Sequence, residues 1–103
     1  MGLFGRKATS QISVALNIRA FMHGRMVRIS LDAQADDGDT LKDLLTRLGR
    51  EGTVDASVAR SILKGGPGFT VLHNGERLAM PEAYGTRLSN GDELSILTPM
   101  AGG

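Results

Sequence analysis

The chain has 103 residues, 41% of them hydrophobic, with 22% charged residues that nearly cancel to a formal net charge of +1, and it has no cysteine. Such a length suits one domain with a modest core, and interspersed acids and bases exclude the basic stripe that nucleic-acid binding needs. Disulfide scaffolds, thiolate catalysis and cysteine-ligated zinc are excluded as well. No apolar run approaches the ~20 residues of a membrane span, and the start lacks the apolar region of a signal peptide, so cytoplasmic residence and no membrane partner are expected.

Residues 1–11 carry Arg6, Lys7 and two glycines without sustained periodicity, and are read as a flexible N-terminal extension. A myristoylation signal would place Ser or Thr at position six, where this chain has Arg6. From Ile12 the pattern alternates. Ile12, Val14, Leu16, Ile18 and Ala20 point one way, and Ser13, Ala15, Asn17, Arg19 and Phe21 the other, as in a half-buried strand. His23 and Gly24 supply a turn, and Val27, Ile29 and Leu31 alternate again with Met26, Arg28 and Ser30. Two strands so close in sequence form an antiparallel hairpin.

Residues 32–39 read as a polar loop ending at Thr40, a good N-cap. Leu41, Leu44, Leu45 and Leu48 fall at i, i+3, i+4 and i+7, which puts them on one face of the main helix. Asp39 and Asp43 lie near its positive end, Arg47 and Arg50 near its negative end, and Gly52 stops it. Asp55 is placed to cap a shorter helix through Lys64, with Val58, Ile62 and Leu63 inward. Gly65 to Gly68 break the chain, and a third strand follows over Phe69 to His73. Asn74 and Gly75 are a strong hairpin signal, returning the chain through Glu76 to Leu78. Residues 80–88 are an irregular crossing. Asn90 and Gly91 then turn the chain into a last strand, Leu94 to Thr98. The order of elements describes an α+β domain over residues 12–98, with a mixed sheet of four to five strands packed on one main helix plus a short second helix.

Catalytic or metal-binding readings find little support. The glycine run at 65–68 precedes a strand, where a phosphate loop would precede a helix. Asp36, Asp37 and Asp39 lack the spacing and distal Glu of a calcium loop and read as a solvated group near a helix start, so no metal site is expected. His23 and His73 sit at turns without a nucleophile or second ligand beside them and read as ordinary surface residues. On the sheet face away from the helix the pattern puts Ala15, Phe21, Met26 and Leu97. That apolar group is either a partner-binding face or minor packing of the hairpin.

Attention falls on the end of the chain. Pro99 removes a backbone donor and ends sheet pairing, so residues 99–103 should leave the fold as a protruding tail, Pro99, Met100, Ala101, Gly102 and Gly103. Glycine has no Cβ, so Gly102 and Gly103 let the backbone lie in a channel too narrow for side chains, with the terminal carboxylate open to attack. With 14 glycines in the chain, the pair alone is weak, since chain ends commonly fray.

Together, the strand and turn Val71 to Gly75, the turn Asn90 to Glu93 and the ending Leu97 to Gly103 resemble the ubiquitin-like sulfur carriers, the MoaD/ThiS family that includes the small subunit of molybdopterin synthase. The resemblance covers residues 12–103 and implies a ubiquitin-like β-grasp fold. It implies a carrier in place of an enzyme: an E1-like enzyme uses ATP to adenylate the carboxylate of Gly103, a persulfide sulfur donor converts it to a thiocarboxylate, and an acceptor synthase or sulfurtransferase takes the sulfur. Carried over by position, Gly103 is the reacting residue, Gly102 threads the tail, and Pro99, Met100 and Ala101 are the recognition stretch. No permanently bound cofactor is implied. Residues 53–68 make the middle longer than in the thiamine-pathway carriers, a length that leans toward the molybdopterin type, and the N-terminal extension is a further departure from the family pattern. Met100 stands where the family often has a second proline. Two other functions use the same features: a protein modifier joined to lysines through Gly103, and a β-grasp binding module that works through its open face.

Overall fold

In the computed structural model of the chain, residues 11–22, 24–64, 68–79 and 82–98 are described. Strand β1 (Gln11–Met22) and strand β2 (Arg25–Asp36) pair antiparallel over their whole lengths, from Gln11 opposite Asp36 to Met22 opposite Arg25. On β1, Ile12, Val14, Leu16, Ile18, Ala20 and Met22 are buried, so the alternation read from the sequence is the one that packs.

Strand β2 corrects one expectation. The polar loop expected at residues 32–39 is strand as far as Asp36, and the link to the helix is only residues 37–40. Asp32, Gln34 and Asp36 are poor strand formers. However, Ala33 and Ala35 are buried against the core, and each extra residue continues a ladder with a long neighbouring strand. Pairing and burial outweigh local preference.

Helix α1 (Leu41–Glu51) begins where Thr40 predicts. The Thr40 hydroxyl accepts from the Asp43 N–H at 3.2 Å, and the Asp43 carboxylate accepts from the Thr40 N–H at 3.0 Å, a reciprocal capping box. Those contacts, first the backbone bond from Thr40, hold the Asp43 carboxyl below its ordinary range. Leu41, Leu44, Leu45 and Leu48 are all buried. Each contributes roughly 1.5–3 kcal/mol of apolar transfer free energy, before the entropy of ordering it is subtracted. Gly52 ends the helix at φ 80°, a left-handed position that other residues occupy only with strain.

Helix α2 (Ala56–Lys64) follows, with Asp55 accepting from the Ser57 hydroxyl at 2.7 Å and the Ser57 N–H at 2.8 Å. Val58 and Ile62 face inward as expected, Leu63 is half-buried, and Ala59 joins the core. The reason is a close approach: a Cβ placed on Gly49 of α1 would lie 2.8 Å from the Cβ of Ala59. The two helices cross with almost no side chain between them at that point.

Strands β3 (Thr70–His73) and β4 (Glu76–Leu78) form the second hairpin, with Asn74 at φ 52° and Gly75 at φ 87° in its turn. A short 3₁₀ turn, Glu82–Gly85, lies within the crossing, with Ala83 buried and the Tyr84 hydroxyl donating to the Ile62 carbonyl of α2. Burial raises the pKa of that hydroxyl. Strand β5 (Glu93–Leu97) closes the sheet, beginning and ending one residue earlier than the sequence pattern places it.

The sheet order is β2-β1-β5-β3-β4. β5 runs parallel to β1 and antiparallel to β3, so the last strand sits in the middle between the two hairpins. Both helices cover one face, where Leu16, Ile18, Val71, Leu94 and Ile96 meet the leucines of α1. This is a five-stranded mixed sheet with two helices, the α+β ubiquitin-like β-grasp. Its central strand leads directly into residues 99–103.

Candidate functional site

The expected tail residues Pro99, Met100, Ala101, Gly102 and Gly103 lie outside the described residues, as does His23. The structure describes the chain up to Thr98, the residue before them. Thr98 is the residue that matters there. Its N–H donates to the Arg19 carbonyl at 3.1 Å, and its hydroxyl oxygen accepts from the Phe21 N–H at 2.8 Å. A side-chain oxygen thus takes over the ladder at the point where Pro99, which has no N–H, follows. Thr98 was read from the sequence only as the end of a strand. The signal lay in its position: a hydroxyl immediately before a proline at the end of a central strand can complete the last pairing.

The apolar residues expected on the open face are partly brought together. Phe21 and Met26 are direct cross-strand partners, and Phe21 is 58% exposed, the one large apolar side chain so exposed among the described residues. Leu97 lies opposite Arg19, diagonal to Phe21, and directly precedes Thr98. Ala15 does not join them. It pairs with Asp32 and Glu93, six residues back along β1, about 20 Å from Phe21 at strand spacing. The patch is therefore Phe21, Met26 and Leu97, bordered by Arg19 and its cross-strand partner Arg28. It is contiguous with the root of the tail.

At the opposite end of β5 lies the sole buried charged side chain among the described residues, Asp92, which is 7% exposed. Its carboxylate accepts from His73 Nε2 at 2.8 Å, Asn74 Nδ2 at 3.0 Å and the Ser89 N–H at 2.8 Å. Burial alone would raise the pKa of Asp92, but the bonds from Asn74, His73 and Ser89 win and lower it below the ordinary 3.8. Asn74 adds a second clasp, its side-chain oxygen accepting from the Glu93 N–H at 2.8 Å while its own N–H donates to the Glu93 carbonyl at 2.8 Å. The Asn90 side chain accepts from the Ser13 N–H at 2.8 Å. His73 is thus not the ordinary surface residue the sequence suggests: it is half-buried and bound to Asp92. The three donors tie the Asp92 carboxylate to β3 and to the turn before β5, so the network works as a clamp that fixes where β5 starts.

The group Asp36, Asp37 and Asp39 is likewise structural in part. Arg47 reaches back from α1 to pair with Asp39 and, at 3.6 Å, with Asp36, and donates to the Gln34 carbonyl at 3.3 Å. Arg47 was expected to serve the negative end of the helix; it stitches the helix start to β2. Among the described residues no group of three His, Cys, Asp or Glu side chains could hold a metal ion, and no helix is long and apolar enough to cross a membrane.

A central strand between two hairpins, parallel to β1 and covered by helices on one face of the sheet, defines a ubiquitin-like protein. The chain belongs to the ThiS family, whose model matches residues 24–103. Among solved structures it is similar to the HVO 2177 protein of Haloferax volcanii, at 28% identity and a TM-score of 0.60, over 96% of this chain and 93% of that one. It also resembles part of haptocorrin, solved in complex with Cbi, at 14% identity and a TM-score of 0.58. There 93% of this chain aligns with only 27% of the other, and the likeness shows the fold alone. No curated protein matches the chain. Membership makes it a ubiquitin-like sulfur carrier, a non-catalytic protein that works with an E1-like activating enzyme.

Proposed function

We propose that the carboxylate of Gly103 is the group this carrier loads, and that the Phe21, Met26 and Leu97 patch docks the enzyme that loads it. The partner transfers AMP from ATP to that carboxylate, releasing pyrophosphate and leaving a mixed anhydride. A persulfide then attacks the acyl carbon, AMP leaves, and thiol reduction of the resulting acyl disulfide frees the thiocarboxylate. Gly102 and Gly103 present the acyl carbon without side-chain hindrance, while Pro99, Met100 and Ala101 are the stretch the partner grips. The chain itself needs no resident cofactor and supplies no acid or base; ATP is bound by the partner.

The observation that carries this reading is Thr98, tied to Arg19 and Phe21 at the root of the tail. One partner surface can therefore hold the apolar patch and receive the tail at once. Arg19 at its border favours an acidic rim on that partner. The acceptor is a cofactor-forming synthase of the molybdopterin type, a reading supported by the added length at residues 53–68, which includes α2. Residence with ATP and a persulfide donor is cytoplasmic.

Incubation with an E1-like enzyme, ATP and a persulfide donor, followed by intact mass measurement, tests the proposal. The expected product has one sulfur in place of one oxygen at Gly103, and takes up one alkyl group; without cysteine, no other thiol competes. A chain that is adenylated yet ends up linked to lysines would instead identify a protein modifier.

A further inference from the structure

We propose that the outer edge of β2 is a self-pairing surface, on which two copies of this chain join through antiparallel β2 strands about a two-fold axis at Ser30.

The sheet order leaves β2 at one edge, and it is 12 residues long, against 3 for β4 at the other. Its ladder with β1 runs without a bulge from one end to the other. On β1, the backbone groups of Ser13, Ala15 and Arg19 bond toward the β5 side, through Gly91, Asp92 and Thr98. The alternate residues of β1 therefore bond β2, and those engage residues 25, 27, 29, 31, 33 and 35 of β2. Met26, Arg28, Ser30, Asp32 and Gln34 turn their backbone groups outward. One end of that row is closed: Arg47 holds the Gln34 carbonyl, and the Asp36 N–H donates to the Asp39 carboxylate at 3.0 Å. Met26 to Asp32 remain open. Edges are ordinarily guarded by proline, a bulge or charged side chains, lysine above all; this strand has no proline, lysine or bulge, and the two charges in its open stretch, Arg28 and Asp32, are of opposite sign.

The side chains select a second copy as the occupant. With Ser30 opposite Ser30, Arg28 of each copy faces Asp32 of the other on the open face of the sheet. On the helix face, Ile29 faces Leu31 and Val27 faces Ala33, and Val27, Ile29 and Leu31 are each only half-buried in the single chain. Neighbouring axes lose this match: centring on Ile29 sets Arg28 against Ser30, and centring on Leu31 sets it against Gln34. Arg28 also has a reason to seek an anion. It stands directly opposite Arg19, a like-charge pair, and has no ion-pair partner among the described residues. Six main-chain hydrogen bonds would join Arg28, Ser30 and Asp32 across the axis.

Both Thr98 positions lie outside the joined stretch in this arrangement. Phe21 and Thr98 lie at the Met26 end of β2, so the two roots sit at opposite ends of the joined strands, with their Met26 positions about 27 Å apart along the strand direction.

Sedimentation velocity on the full chain from about 10 μM to about 1 mM, a range chosen for a modest edge interface, tests this. The expected result is a monomer–dimer equilibrium. Arg28→Asp and Asp32→Arg should each raise the dimer Kd by about tenfold or more, because each turns two attractive cross-strand pairs into repulsive ones. The double variant, Arg28→Asp with Asp32→Arg, should return to within about threefold of the parent, since it rebuilds both pairs with the charges exchanged. An independent readout uses the unaltered chain: the amides of Arg28, Ser30 and Asp32 should exchange with solvent more slowly at high than at low protein concentration. A chain that stays monomeric throughout, a double variant no better than either single one, or exchange at these amides independent of concentration would each overturn the proposal.

Discussion

Beyond the sheet ladders, β5 is fixed at its N-terminal end by a buried carboxylate with three donors and by the two-way clasp between Asn74 and Glu93, whereas at its C-terminal end the further ties are two hydrogen bonds of a single residue, Thr98. The same strand is clamped by a charged network at one end and tied by a neutral side chain at the other. The difference is physical in origin: Asp92 is charged and removed from water, so every lost partner there is costly, while Thr98 is neutral and beside solvent. The asymmetry fixes the register of β5 at its start and leaves Thr98 as its last described tie.

Breaking the clamp should have the largest effect. Asp92→Ala leaves His73, Asn74 and the Ser89 N–H without their shared acceptor, and should cost about 3 kcal/mol, lowering the melting temperature by more than about 10 °C. Thermal denaturation checks it, and an unchanged melt would mean that the clamp is not what holds β5.

The clamp also predicts acid sensitivity. Because the folded-state pKa of Asp92 lies below its ordinary 3.8, the stability it contributes is present above that value and is lost as pH falls from there through the lower folded-state value. Denaturant titrations of Asp92→Asn should show a shallower loss over that acid range than the parent. A residual slope belongs to Asp43 and Asp55, whose carboxyls are also held low, the latter by Ser57.

At the Thr98 end the expected effects fall on partner binding. Phe21→Asp puts a charge in the exposed patch and should weaken docking to the loading enzyme by about tenfold, roughly 1.4 kcal/mol, with little change in the melting temperature. Equal loss of both stability and docking would show that Phe21 is packing for the hairpin instead. Thr98→Val removes the acceptor used by the Phe21 N–H and should cost about 1 kcal/mol or less, because water can replace it. Its sharper signature is a raised KM for adenylation at unchanged kcat, since the root of the tail is less well placed against the patch.

Much of this architecture is legible in local pattern. The alternation from Ile12 to Ala20, the four leucines of α1, the Thr40 cap, the Gly52 stop and the Asn74 turn all appear where short-range rules put them, because strand and helix periodicity and φ preference act over a few residues. The site was legible only in outline. Phe21, Met26 and Leu97 share a face by simple alternation, but Ala15 was grouped with them because alternation gives the face and not the distance along it.

Sequence alone determined the types and order of the elements, the buried face of each, the family resemblance and the Gly-Gly tail, since each depends on residues near one another in the chain. Only the tertiary structure decided that β2 runs on to Asp36, that Arg47 turns back to Gln34, Asp36 and Asp39, that His73 binds Asp92, and that Thr98 completes the ladder at Phe21. Those contacts join residues up to 77 positions apart. Their donors and acceptors carry no mark of their partners until the sheet brings β5 between β1 and β3.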